Sequence, residues 1–234
     1  MPESFVDRLS QIAGLEAVWA AVSERAIAHR RSLPSAWPQS IAELSAVQSG
    51  IARRGAWTTG PSTMLDVLGL SRAEVVNCRV LAWLLDPLAR HGLGTSLLER
   101  FGGEVGAEAL DERVTRVDVE VARNETRADV VLSASGVAVV VVEAKIDAGE
   151  QPNQARRLET EWPEAERFVF LTPGGRRLPS TANDAERWRP LAWPRIAQHV
   201  AECVTEASPA SSERVAEARH VAADWAAGIR RTLA

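Results

Sequence analysis

The chain has 234 residues, 46% of them hydrophobic and 25% charged, the balance of a globular protein with material for a sizeable core. Its 27 basic and 31 acidic residues leave a net charge of −4, which excludes a nucleic-acid binder that relies on overall positive charge; such contact must be local, or depend on a metal or a partner. There is no apolar run near the roughly 18 residues of a membrane span and no signal-peptide pattern at the start, and Cys78 and Cys203 read as reduced core thiols, so the expectation is a cytoplasmic protein without a membrane role.

In chain order, residues 4–31 carry Phe5, Leu9, Ile12, Leu15, Val18, Trp19 and Val22 at helical spacing and predict a first helix. Pro34, Trp37 and Pro38 interrupt it, and a second helix is predicted over 39–53. Gly60-Pro61-Ser62 is a break. Ser71 reads as the N-cap of a helix over 72–86 that ends at Asp86-Pro87. A polar turn containing His91 follows, then a short helix near 94–102.

The pattern then changes to period two. Residues 115–122, 127–134 and 137–145 read as three consecutive strands, the last two a hairpin around Ser135-Gly136. A helix is predicted over 149–162 with Pro152 in its first turn, and a buried strand over 167–173. A loop, a last short strand over 188–193, a helix from Pro194 to about 206, a linker and a terminal helix over 212–232 complete the chain. Helix layers on a mixed sheet of 4–5 strands make an α/β or α+β architecture.

The third strand raises a chemical question. Its valine run ends in Glu143-Ala144-Lys145, and Lys145 is the sole lysine among the 27 basic residues. Residues two apart on a strand share a face, so Glu143 and Lys145 point the same way and Ala144 points into packing. Asp129 lies on the preceding strand, and the hairpin decides whether it meets Glu143. A three-residue loop, Ser135-Gly136-Val137, or a bulge of equal effect, sets Asp129 opposite Glu143; a two-residue loop alone sends the acids to opposite faces. We expect the three-residue loop or the bulge. Opposed carboxylates conflict unless one takes a proton or both share a cation. Mg²⁺ accepts a few carboxylates plus water and phosphate, which suits phosphodiester hydrolysis, with Lys145 orienting the water or stabilising phosphorane charge. Without further context, Glu143 and Lys145 read equally well as an ion pair capping a strand, with Asp129 a surface charge.

Asp129, thirteen intervening residues, then Glu143-Ala144-Lys145, on strands followed by a helix, resembles the PD-(D/E)XK nuclease superfamily. The resemblance covers roughly 72–207 and includes "NCRVLAWLLDPLARHGLG" and "EAKIDAGEQPNQ". It implies a restriction-endonuclease-like core over 71–207, a helical N-terminal extension over 1–70 and a C-terminal helix over 208–234 packed on the core. It further implies that Asp129 and Glu143 hold Mg²⁺, with Mn²⁺ able to substitute, that Lys145 works at the attacking water, and that Gln154 assists from the next helix. Glu74 and Glu120 are candidate further metal ligands, each with an alternative reading as an ordinary helix-start or surface acid. One departure is Ala128, where the motif often carries proline or an isoleucine-like residue. The implied function is a DNA endonuclease of prokaryotic defence or DNA processing, acting as a homodimer or with a partner protein; the alternative is an inactive nuclease-like domain that binds nucleic acid or protein.

Weaker candidates remain. His91 reads as a general base or as an anchor of its turn. Four arginine pairs, 123/127, 156/157, 176/177 and 187/189, read as solvated charges unless they touch phosphate. Most of the eight tryptophans lie on apolar faces and read as core.

Overall fold

The computed structural model describes residues 5–56, 60–107, 109–175 and 177–234. They divide into two compact units, Met1–Gly60 and Pro61–Ala234.

The first unit holds a single helix, α1, over Phe5–Arg53. Two helices separated at Pro34–Pro38 were expected; the helix instead runs through both prolines. Proline's fixed φ is already helical, so the backbone continues across it with a ladder bond lost at each.

The second unit begins with α2 (Met64–Val67), α3 (Glu74–Leu85), α4 (Ser96–Val105) and α5 (Leu110–Arg113). Strands β1 (Arg116–Arg123), β2 (Thr126–Ala134) and β3 (Val137–Ala144) follow, then α6 (Gln154–Glu161), β4 (Arg167–Thr172), β5 (Trp188–Ala192), α7 (Trp193–Glu206) and α8 (Glu213–Leu233). The five strands form one sheet in chain order. β1, β2 and β3 are antiparallel neighbours, while β3–β4 and β4–β5 are parallel, with α6 carrying the crossover from β3 to β4 and a loop the one from β4 to β5. This five-stranded mixed sheet flanked by helices is the expected α/β, restriction-endonuclease-like arrangement.

Two apolar layers sandwich the sheet. Val140, Val142, Ala144, Val169 and Leu171 pack towards α3, α4, α7 and α8. Val141, Phe168, Phe170 and Trp188 pack towards Ala155 and Leu158 of α6 and Trp162 just beyond it. A strand buried on both faces loses the polar alternation of a one-sided strand, which is why β3 reads as an unbroken valine run.

The β2–β3 hairpin departs from the three-residue loop. Ala134 pairs with Val137 across a two-residue turn whose Ser135 and Gly136 have φ of 49° and 82°. Positive φ at both central residues is the turn whose twist matches the strands. Alone, this turn would put Asp129 and Glu143 on opposite faces. The register shifts, however: Ser133 pairs with Ala138, but Leu132 pairs with Val140. Val139 is an extra, bulged residue, and it packs on the same side as Val140. The bulge restores the parity, and it is the alternative given with the longer loop.

Two helix starts also differ. Ala73, not Ser71, precedes α3. The Ser71 hydroxyl instead donates to Asp66 Oδ1 (2.5 Å). The next helix begins at Gln154, after Asn153 at φ 55°, so Pro152 lies in the preceding loop. That loop is tied down by Glu150, whose Oε2 accepts from Ser180 N (2.8 Å) and Oγ (2.9 Å).

Candidate active site

The bulge decides what the end of the hairpin presents. Val130 pairs with Val142, so the next position sets Asp129 against Glu143. Glu143 follows Val141 on the face towards α6, and Asp129 lines the same cleft beside it. Lys145 lies just past β3, where its N–H donates to Leu171 O (2.8 Å) and prolongs the pairing with β4. Its side chain therefore falls on the Glu143 side, and Ala144 is buried in the opposite layer.

Glu143 is 3% exposed. Its Oε1 accepts from Lys145 Nζ (2.5 Å) and from Gln154 Nε2 (2.5 Å), whereas its Oε2 is buried with no hydrogen-bond partner. Asp129 Oδ2 accepts from the backbone N–H of Ala144 (2.7 Å). Gln154 is aimed by its own oxygen, which accepts from Gln151 N (3.1 Å). Glu74, from the first turn of α3, accepts from Ile146 N (3.0 Å) and stands 3.7 Å from Lys145 Nζ. Glu74, Asp129, Glu143, Lys145 and Gln154 line one cleft of about 510 Å³.

Burial pushes the Glu143 carboxyl up, to about 8, and the neighbouring Asp129 adds to it against the pull of Lys145. Burial raises Asp129 as well, opposed by the Ala144 N–H. Burial acts to lower Lys145, but Glu143, Glu74 and Asp129 outweigh it, so the ammonium is held above its ordinary value. Cys78, buried beside these acids, is raised by burial first and stays a thiol.

A cation fits this arrangement. Opposed carboxylates in a dry site repel, and a buried carboxylate oxygen without a donor is an acceptor awaiting a partner. Asp129 and Glu143 would hold it. Among the described residues, no three His, Cys, Asp or Glu side chains form a ready cage, so water and phosphate would complete the coordination, as Mg²⁺ prefers.

Glu120 is placed elsewhere. It sits opposite Asp129 in β1 but adopts φ 51°, and that pair is missing from the otherwise regular ladder. Its carboxylate is taken by Arg79 (3.2 Å) and Arg127 (3.0 Å), and it does not line the cleft. His91 is fully buried: Nε2 meets Asp86 O (2.9 Å) and Nδ1 accepts from Leu93 N (3.0 Å), so it anchors its turn. Trp162, Trp188 and Trp193 are core, while Trp19 and Trp37 of α1 are exposed. Arg123 stacks over Trp162 and Arg187 over Phe168, 4.9 and 4.8 Å from the ring centroids. Arg176 lies outside the described residues.

Arg157, read from the sequence only as one of a pair of solvated charges, also lines the cleft, with Thr126 and Asn124, which the sequence reading did not single out. The spacing of Arg157, three residues after Gln154 on a helix, was the signal available.

A family model for the PD-(D/E)XK nuclease superfamily matches residues 63–226. The match begins before α3 and takes in most of α8, which the resemblance had left outside the core. No curated protein and no solved structure matches the chain.

Proposed function

The chain belongs to the PD-(D/E)XK nuclease superfamily, and from that premise we propose that it is a Mg²⁺-dependent DNA endonuclease, able to use Mn²⁺, that works in prokaryotic defence or DNA processing. The observation that carries this reading is the facing pair of Asp129 and Glu143, with Glu143 Oε2 buried and free of any donor. Intact acids and ammonium in one cleft favour a cutting enzyme over a domain that only binds.

Asp129 and Glu143 hold the cation in this proposal. Bound there, a divalent ion lowers the pKa of a coordinated water and neutralises phosphate charge. The Ala144 N–H fixes one oxygen of Asp129 and leaves the other to face the cleft. Gln154 and Lys145 together occupy Glu143 Oε1, which leaves Oε2 as the oxygen without a donor. Lys145, the lone ammonium, orients the attacking water and meets charge developing on phosphorus. Glu74 positions rather than reacts: it ties the backbone after Lys145 and keeps the ammonium charged and aimed.

The test is digestion of supercoiled plasmid and of single-stranded DNA with Mg²⁺, Mn²⁺ or chelator. We expect metal-dependent internal cleavage, abolished in Asp129→Ala and slowed at least about 10²-fold in Lys145→Ala. No cleavage by the parent with either metal, or cleavage that survives Asp129→Ala, overturns the proposal.

A further inference from the structure

We propose that the groove leading from the acid cluster along α6 carries the substrate's phosphodiester strand, and that Arg157 grips a phosphate next to the one being cut. This rests on the nuclease reading and adds a binding residue to it.

The cleft of about 510 Å³ adjoins a second cavity of about 640 Å³. They share Asn124, Glu125, Thr126 and Arg157, so they form one groove between the β1–β2 turn and α6. Its outer end is held by two links: Asn124 Nδ2 donates to Glu161 Oε2 (2.5 Å) and Arg123 to Glu161 O (2.7 Å). The groove is therefore built into the fold, and it opens onto the reacting groups at its inner end.

Arg157 lies where the two cavities meet. It is three residues after Gln154 on α6, hence on the same helical face, one turn from the side chain that touches Glu143. Its guanidinium donates to Pro152 O and to Gln151 Oε1 (3.3 Å), and Nε is buried without an acceptor. Among the described residues it pairs with no carboxylate. Arg127 is neutralised by Glu120 and Arg123 by Glu164, and Arg156, which lines only the outer cavity, donates its Nε to Asn183 Oδ1 (3.1 Å), so Arg157 is the unpaired guanidinium common to both cavities among the described residues. Arg157 is thus a pre-aimed, uncompensated fork, the geometry that matches phosphate oxygens. Glu125 and Glu161 also line the groove and offset Arg156 at its outer end, so diffuse attraction for a polyanion is weak there and a well-placed cation next to the reacting groups weighs heavily. On a chain of net charge −4, such a local contact is the kind that nucleic-acid binding requires.

The experiment measures binding of a short labelled single-stranded DNA with Mg²⁺ in the cleavage-deficient Asp129→Asn protein, as a function of salt. Arg157→Gln is compared with Arg157→Lys and with Arg116→Gln, which removes an equal charge from a largely exposed residue at the far end of the sheet. Each phosphate contact contributes about 0.7 to the salt slope for a single strand, or about threefold in affinity between ~50 and ~200 mM salt. We expect Arg157→Gln to lose that increment, Arg157→Lys to restore most of it, and Arg116→Gln to keep the parent slope. An unchanged slope in Arg157→Gln, or equal losses in Arg157→Gln and Arg157→Lys, overturns the role of Arg157, even if the parent cuts DNA in metal. No binding and no cleavage by the parent overturns the nuclease reading along with it.

Discussion

Glu143 shows how much of this site is made by burial. A carboxyl at the surface would be ionised at neutral pH; this one is pushed up to about 8 because it is dehydrated and faces Asp129. The sign of the consequence follows from linkage. Folded protein holds that proton more tightly than unfolded chain, so the stabilisation is complete below the ordinary value of 4.5 and is lost as pH rises to about 8. Asp129, also raised, acts in the same direction. Chelator-treated protein should therefore lose stability across that window, with a slope of at most about 1.4 kcal/mol per pH unit for one proton. Denaturant unfolding at several pH values checks this by difference: buried His91, lowered by its burial, acts in the opposite sense below 6.5 in both proteins, so the parent should lose stability relative to Glu143→Gln as pH rises to about 8, and a difference that stays constant means the burial account is wrong. Residue types and spacing drew attention to Asp129, Glu143 and Lys145 but left an ion pair equally open; the family resemblance favoured the site and added Gln154. Arg157 and Glu120 were not separable that way, because each is one more charge on a strand or helix until its partner is known.

At the level of elements, the hairpin is the instructive piece. Valine-rich period-two stretches marked β1, β2 and β3 to within a residue or two; α3, α4, α6, α7 and α8 were found with looser ends, the short α2 and α5 were not predicted, and the two helices expected before residue 54 are one. The loop before α6 misled because Pro152 suits a first helical turn, yet Asn153 in a left-handed conformation turns the chain before the helix begins. Parity in the hairpin depends on two features that compensate, a two-residue turn and the bulge at Val139. Deleting Val139 should leave a regular ladder with Asp129 still opposite Glu143. Cleavage should survive, at a stability cost of about 1.5–3 kcal/mol for the lost buried side chain. Inserting one alanine between Val140 and Val141 should instead turn Glu143 and Lys145 into the opposite layer, abolishing cleavage and destabilising the fold by placing charge among apolar groups. Plasmid digestion paired with urea unfolding separates the two variants. Equal cleavage by both would mean that strand parity does not govern the site.

Across the folded unit, α8 contributes Ala222, Trp225, Ala226, Ile229 and Leu233 to the main apolar layer. Trp225 packs edge-on against Trp193 at 6.3 Å, and its Nε1 donates to Asn77 Oδ1 (2.9 Å), joining α8 to α3, the helix that carries Glu74. Trp225→Ala should cost about 3–5 kcal/mol in denaturant unfolding, and a loss under about 1 kcal/mol would mean that α8 is dispensable. The sequence by itself determined the strands, most of the longer helices and the mixed α/β class, and it marked the acids and the lone ammonium as candidates, because side-chain periodicity and residue chemistry are local properties. It was the tertiary structure that decided which acids meet, which guanidiniums are already neutralised, and that a groove runs from the reacting groups along α6. Those facts depend on the registration of strands and the packing of helices distant in sequence, which no stretch of chain specifies alone.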